Sequence, residues 1–153
     1  MCVSLLLNKH LAVWNNFTFV AEIAGHKAYF IPTGASDEVG LWGYIAASEE
    51  LAADFKRLDL KPSAIVTATG SGGTQAGLIA GNEIFGLAEK IVAFNVSDNA
   101  VYFAERARED ISHWQTRYAD LLKGTPGAEI DTATLRVLTQ EGYLGPGDRK
   151  STV

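Results

Sequence analysis

The chain has 153 residues, 47% of them hydrophobic and 20% charged, a profile that suits one soluble globular domain with its own core. Its net charge of −5, with no basic run, leaves no electrostatic footprint for nucleic acid or an anionic membrane surface. The single cysteine, Cys2, excludes an internal disulfide and fits a reducing compartment.

Residues 1–26 form a leader with a short apolar patch at 3–7. No basic region precedes that patch, no small-residue cleavage pattern follows it, and it is far too short to span a membrane, so a cytoplasmic protein is expected. Residues 14–23 suit either a frayed helix or a strand. Residues 28–31 (AYFI) lean to β structure and are stopped by Pro32. A polar loop follows at 33–38, in which Ser36 or Asp37 is placed to cap a helix.

In that helix Leu41, Tyr44, Ile45, Ser48, Leu51, Ala52 and Phe55 recur at three- and four-residue intervals, with Glu49, Glu50 and Asp54 on the opposite face. The Glu49–Glu50 pair therefore reads as a solvated surface, not an acid/base dyad, and Trp42 and Tyr44 read as packing residues. A connector at 59–63 leads to an apolar run at 64–68. Because it is apolar on both faces, this run is expected to be a central strand covered by helices on both sides. The next helix is expected at 74–85, stopped by Gly86, with Ala76, Gly77, Ala80 and Gly81 as a small-residue face against the sheet.

A second interior strand is expected at 90–96, and Ser97 to Asn99 supply caps for the longest helix. Ala104, Ala107, Ile111, Trp114, Tyr118 and Leu121 make its buried stripe, and Arg106 and Asp110 pair across a turn outside that stripe. His113 has no second ligand at metal spacing, and His10 and His26 are isolated, so no metal site is expected. The Gly124–Gly127 segment breaks the helix, 132–138 suits a short helix or a strand, 141–147 is a loop, and 148–153 is a loose tail. Strands alternating with helices imply right-handed crossovers and a mostly parallel sheet: an α/β fold in three α/β/α layers.

The chemistry concentrates in residues 65–81, IVTATGSGGTQAGLIAG, which read as strand, glycine turn and helix. Gly70, Ser71, Gly72, Gly73 and Thr74 form a turn whose backbone can approach a ligand closely, and the helix start adds unpaired N–H groups and a positive dipole end. A phosphate is the natural guest. The loop ends Gly73-Thr74-Gln75 without the lysine of a nucleoside triphosphatase. A dinucleotide site stays open, with Gly70 and Gly72 in place, Gln75 where the third glycine belongs, and Asp98 as a ribose partner. A hydrolase elbow would use Ser71 with Asp98 and His113, but Thr69 stands where that elbow needs glycine. A turn that only packs a helix on a sheet is the remaining reading.

TGSGGTQAG (residues 69–77), the upstream IPTGASDEVGLWGYIAASEEL (31–51) and the downstream NVSD (95–98) together resemble the D-cysteine desulfhydrase and 1-aminocyclopropane-1-carboxylate deaminase family. The resemblance runs from about residue 27 to 147. It implies a tryptophan-synthase-β-like (fold type II) enzyme dependent on pyridoxal 5'-phosphate, acting on a small amino acid, with Gly70, Ser71, Gly72, Gly73 and Thr74 around the cofactor phosphate. It also implies a Schiff-base lysine in a Gly-Asn-Lys setting, which this sequence lacks, so no catalytic lysine is nominated. The family turn after Gly145-Pro146-Gly147 continues with tyrosine, where this chain has Asp148; Tyr143 lies just before the turn. The chain is thus expected to be an incomplete member, with residues 27–147 as its cofactor-binding domain, and to form a homodimer or associate with a complementing chain. A non-catalytic remnant that binds phosphate-bearing ligands is the alternative.

Overall fold

A computed structural model describes residues 31–143. The expectations for residues 1–30, for the Gly145-Pro146-Gly147 turn and for the tail lie outside the described residues. A compact unit begins at Pro32.

Its first element is a short 3-10 turn, Thr33–Ala35, in which Gly34 takes φ +70°. Helix α1, Leu41–Arg57, follows. Of the two capping candidates Asp37 does the work: its Oδ1 accepts the N–H groups of Val39 (3.0 Å) and Gly40 (2.7 Å), amides left orphaned where the helix is entered. Leu41, Ile45 and Ser48 are buried, Leu51, Ala52 and Phe55 half-buried, and Glu49 and Glu50 exposed, as the periodicity predicts; Tyr44, expected on the same stripe, is exposed at its edge. Lys56 and Arg57 close the helix at its negative dipole end.

Strand β1, Ile65–Thr69, leads through the glycine turn into α2, Gly73–Phe85, which stops at Gly86 in the left-handed conformation. Strand β2, Ile91–Asn95, is followed by α3, Ala100–Arg117, capped by Asn99, whose side chain accepts Tyr102 N–H. A one-turn helix α4, Ala119–Leu122, and a 3-10 turn, Pro126–Glu129, lead to strand β3, Leu138–Gln140. The three strands are parallel, in the order β1-β2-β3, with Val66 beside Val92 and Val92 beside Leu138. The fold is α/β with a parallel sheet, as expected.

Four expectations need correction in detail. First, among the described strands β1 is an edge and β2 is the middle strand. Both crossovers step the same way, and right-handed connections then put α2 and α3 on one face of the sheet. Accordingly Thr69, Ile91, Ala93 and Asn95 are buried, whereas Val66, on the other face of the pleat, is 62% exposed. Among the described residues the helix layer covers one side.

Second, the small residues of α2 do not all face the sheet. A Cβ on Gly77 would lie 2.6 Å from Tyr44 Cβ, and one on Gly81 would overlap Ser48, so these glycines let α1 approach. Third, the buried face of α3 is Phe103, Ala107, Asp110, Ile111 and Trp114; Asp110 lies on it, and Ala104 is only half-buried. Fourth, Leu121 is 66% exposed and Leu122 buried, because the chain leaves the α3 phase at Tyr118 and restarts as α4. Trp114 anchors the core against Trp42, edge to face at 5.3 Å, and Trp42 meets Tyr118 in the same way at 5.3 Å.

Candidate functional site

In a parallel α/β sheet, ligands gather beyond the carboxyl ends of the strands. Here that end carries the glycine turn after β1 and residues 96–99 after β2. Gly72 has φ +97°, a backbone state that favours glycine, and it is the N-cap of α2 with no side-chain cap bond. The first turn of α2 contains no acidic residue. Among the described residues no acceptor pairs with the N–H groups of Ser71, Gly72 or Thr74. Orphaned donors at a positive helix end suit an anion with several acceptor oxygens. The donor set fits a phosphate group.

Gly73 differs from its neighbours. Its N–H donates to Ser36 Oγ at 3.0 Å, and a Cβ on it would sit 2.6 Å from that oxygen. Ser36 also donates from Oγ to Ser71 Oγ at 2.8 Å. A Cβ on Gly34 would collide with Ser71 Oγ, so the Thr33–Ala35 turn and the glycine turn are stacked together. Arg106, from α3, donates through Nη2 to the Ser36 carbonyl at 2.6 Å and lies 3.1 Å from Asp110 Oδ1. From the β2 side, Ser97 Oγ donates to the Gly70 carbonyl at 2.6 Å, while Asn95 Oδ1 accepts the N–H groups of Ser97 and Asp98.

Asp110 is the electrostatic outlier. Burial pushes its carboxyl up to about 6, against the pull of Arg106 and, more weakly, of His113. Glu38 is held below the usual carboxylate range by backbone hydrogen bonding and by the Arg117 guanidinium at 2.9 Å, at the last turn of α3.

The structure thus brings Gly70, Ser71, Gly72, Gly73 and Thr74 together as one turn. It does not assemble the hydrolase alternative: Ser71 is bonded to Ser36, while Asp98 and His113 are exposed and neither hydrogen-bonds Ser71. No group of metal-ligating side chains occurs among the described residues, and no helix among them is long and apolar enough to cross a membrane. Tyr143 is exposed and rests edge-on against Phe94, ring centroids 4.6 Å apart. Sequence reasoning missed Ser36 and Arg106 as parts of this end. Ser36 carried a signal, since two capping residues stood side by side and a helix uses one; Arg106 carried none.

No family-level sequence profile matches the chain. Individual proteins do. The mitochondrial bifunctional D-cysteine desulfhydrase/1-aminocyclopropane-1-carboxylate deaminase of Arabidopsis thaliana is 44% identical over 84 residues, 54% of this chain and 21% of that protein. A putative 1-aminocyclopropane-1-carboxylate deaminase of Pyrococcus abyssi is 37% identical over 115 residues, 71% of this chain and 34% of that protein. Another from Thermotoga maritima is 34% identical over 128 residues, 82% and 36%. The chain belongs to the D-cysteine desulfhydrase and 1-aminocyclopropane-1-carboxylate deaminase family. It spans between about a fifth and just over a third of the length of these relatives.

For a member of this family the placement of lysines is informative. Lys56 and Lys61 precede β1, Lys90 precedes β2, and Lys123 follows α4 at the far end of α3. All four belong to the amino-terminal end of the sheet, away from the glycine turn. A cleft of about 460 Å³ also lies there, between Phe55, Leu60, Phe85 and Leu87 with Lys56 and Lys61 at its border. Its size alone does not make it the site, because the orphaned amides and the perturbed carboxyl gather at the other end.

Proposed function

We propose that the glycine turn holds the phosphate of pyridoxal 5'-phosphate, with the N–H groups of Ser71, Gly72 and Thr74 and the hydroxyls of Ser71 and Thr74 as donors. Gly70 and Gly73 keep the backbone close enough for this. The observation that carries the reading is the set of amides at the amino end of α2 that have no acceptor among the described residues, in a chain related to deaminases and desulfhydrases. When bound, the cofactor supplies an electron sink for charge developing at a substrate Cα. The chain's own residues bind and orient it: the amides neutralise the phosphate, and the stacked Thr33–Ala35 turn limits how far the loop can move.

The domain doing this is residues 27–147, and the whole protein is a cytoplasmic lyase or deaminase acting on D-cysteine, 1-aminocyclopropane-1-carboxylate or a similar small amino acid. The lysine that bonds the cofactor comes from outside the described residues, since the four described lysines sit at the opposite end of the sheet. A complementing chain brings it, because a second copy of this chain, in the homodimer that is the other form of association, adds no lysine in a Gly-Asn-Lys setting. The same lysine placement favours a second reading, in which the chain binds phosphate-bearing ligands without catalysis.

Pyridoxal phosphate titrated into the purified chain, followed by borohydride reduction and peptide mapping, separates these readings. A protein-dependent absorbance change with a reduced adduct on one lysine identifies a competent site. Saturable binding without an adduct, abolished by Gly72→Val, supports the phosphate cradle alone. No binding in the unaltered chain sinks the phosphate assignment.

A further inference from the structure

Two stretches far apart in the chain meet at one buried serine. Ser36 is 2% exposed, and each of its polar atoms facing the glycine turn or α3 is used: Oγ donates to Ser71 Oγ and accepts from Gly73 N–H, and the carbonyl accepts from Arg106. The glycine turn is seated on this assembly without side chains between. A Cβ on Gly73 would meet Ser36 Oγ, and one on Gly72 would stand 3.4 Å from Arg106 Cγ.

Behind Arg106 lies Asp110, 2% exposed, with Oδ1 on the guanidinium and Oδ2 without a hydrogen-bond partner among the described residues. A half-satisfied buried carboxylate is a poor way to stabilise a core. An apolar side chain among Ala107, Ile111 and Trp114 would do at least as well. The charged groups that bear on it are Arg106 and His113 from its own helix, which favour the carboxylate, and Asp37 from the turn before α1, which opposes it. Among the described residues only Arg106 is bonded to it, and Arg106 reaches onward to the turn that contains Ser36.

We propose that Arg106 is a positioning residue for the glycine turn: anchored by Asp110, it fixes Ser36, and Ser36 holds Gly73 and Ser71 so that the neighbouring amides face one anion. The inference rests on the phosphate reading above and adds the device that orders the cradle before the ligand arrives. Glycine-rich loops lose much conformational freedom on ordering, and ordering them beforehand removes that cost from binding. Gly73 then serves as the fastening point of the loop, and the phosphate is met by its neighbours.

The test uses the full chain and two readouts, amide hydrogen exchange in the free protein and pyridoxal phosphate affinity. Ser36→Ala and the double variant Arg106→Gln/Asp110→Asn, which avoids stranding a lone buried charge, are compared with the unaltered chain. Expected is about tenfold faster exchange in residues 70–75, unchanged exchange in residues 79–85, and about tenfold weaker binding. Arg106→Lys, which keeps the charge but not the fork, restores part of both. Unchanged exchange at 70–75 in both variants overturns the positioning role even if Gly72→Val still abolishes binding, so its failure is distinct from failure of the cradle. Faster exchange with unchanged affinity overturns it too, and absence of binding in the unaltered chain removes the cradle on which it rests.

Discussion

The Ser48 side chain of α1 fills the space in which a Gly81 Cβ would stand on α2. The hydroxyl of Ser48 donates to the Tyr44 carbonyl at 2.7 Å, so the side chain is fixed where it is. Gly77, one helical turn earlier, meets Tyr44 in the same way. Close approach of the two helices therefore depends on these glycines. Gly81→Ala would gain about 1 kcal/mol of helix propensity but lose more to overpacking, which costs roughly 1–3 kcal/mol and falls here on a rigid neighbour. The expected net result is a lower urea midpoint, with partial recovery in the double variant Gly81→Ala/Ser48→Gly. A single variant more stable than the unaltered chain would show that α1 is free to move away.

Asp110 makes stability depend on pH. Its carboxyl lies at about 6 in the folded chain against an ordinary value of 3.8, so the folded state holds a proton that the unfolded state releases. The contribution is fully present below pH 3.8 and is lost as pH rises through 6. The shift corresponds to about 3 kcal/mol across that window. Glu38 and Asp131, both held low, act with the opposite sign as pH falls. The difference between the unaltered chain and Asp110→Asn isolates the first effect: urea unfolding at pH 4, 5, 6 and 7 should show the variant gaining relative stability with pH. Parallel curves would mean that the carboxylate is better solvated than its surroundings suggest.

Much of this fold is legible in the sequence because its local signals agree with one another. The αL stop at Gly86 and the Asn99 cap follow from residue types whose backbone preferences are strong, and the strands end at Thr69 and Asn95, one residue away from the expected 68 and 96. The glycine turn was legible for the same reason. What periodicity does not carry is which neighbour a face meets. Gly77 and Gly81 read as a close-packing surface, but only the tertiary arrangement chooses α1 over the sheet as its partner. Asp110 lies on the buried face of α3 although its type argues for solvent, and its partnership with Arg106 is what makes that tolerable. The link from Arg106 to Ser36 spans 70 positions and has no local signature at all.

Gln75 shows how a buried polar group can help the ladder to β2 fasten a short strand. Strand β3 is three residues long, and Gln75 Nε2 donates to the Leu138 carbonyl at 3.3 Å and to Thr139 Oγ1 at 3.0 Å. Replacing Gln75 with Leu leaves both acceptors beside an apolar side chain, at a cost of about 1–3 kcal/mol. The loss should be local. Exchange of the amides in residues 137–141 should rise well before the rest of the sheet responds, and uniform acceleration everywhere would show that β3 unfolds only with the whole.

Among the described residues the helices cover one face of the sheet, which predicts opposite tolerance on its two faces. Val66 and Ala93 lie on adjacent strands but on different faces: Val66 is 62% exposed, and Ala93 is completely buried beneath the helices. Val66→Thr keeps β-branching and removes little buried area, so its effect should stay within about 0.5 kcal/mol. Ala93→Val adds two methyl groups where the helices leave no room, and should cost about 1–3 kcal/mol by overpacking. Thermal unfolding of both variants at one protein concentration checks the contrast. If Val66→Thr proves as damaging as Ala93→Val, the Val66 face is covered in solution, and the same melts repeated over a tenfold concentration range would reveal whether a second copy covers it, because stability gained from association rises with concentration.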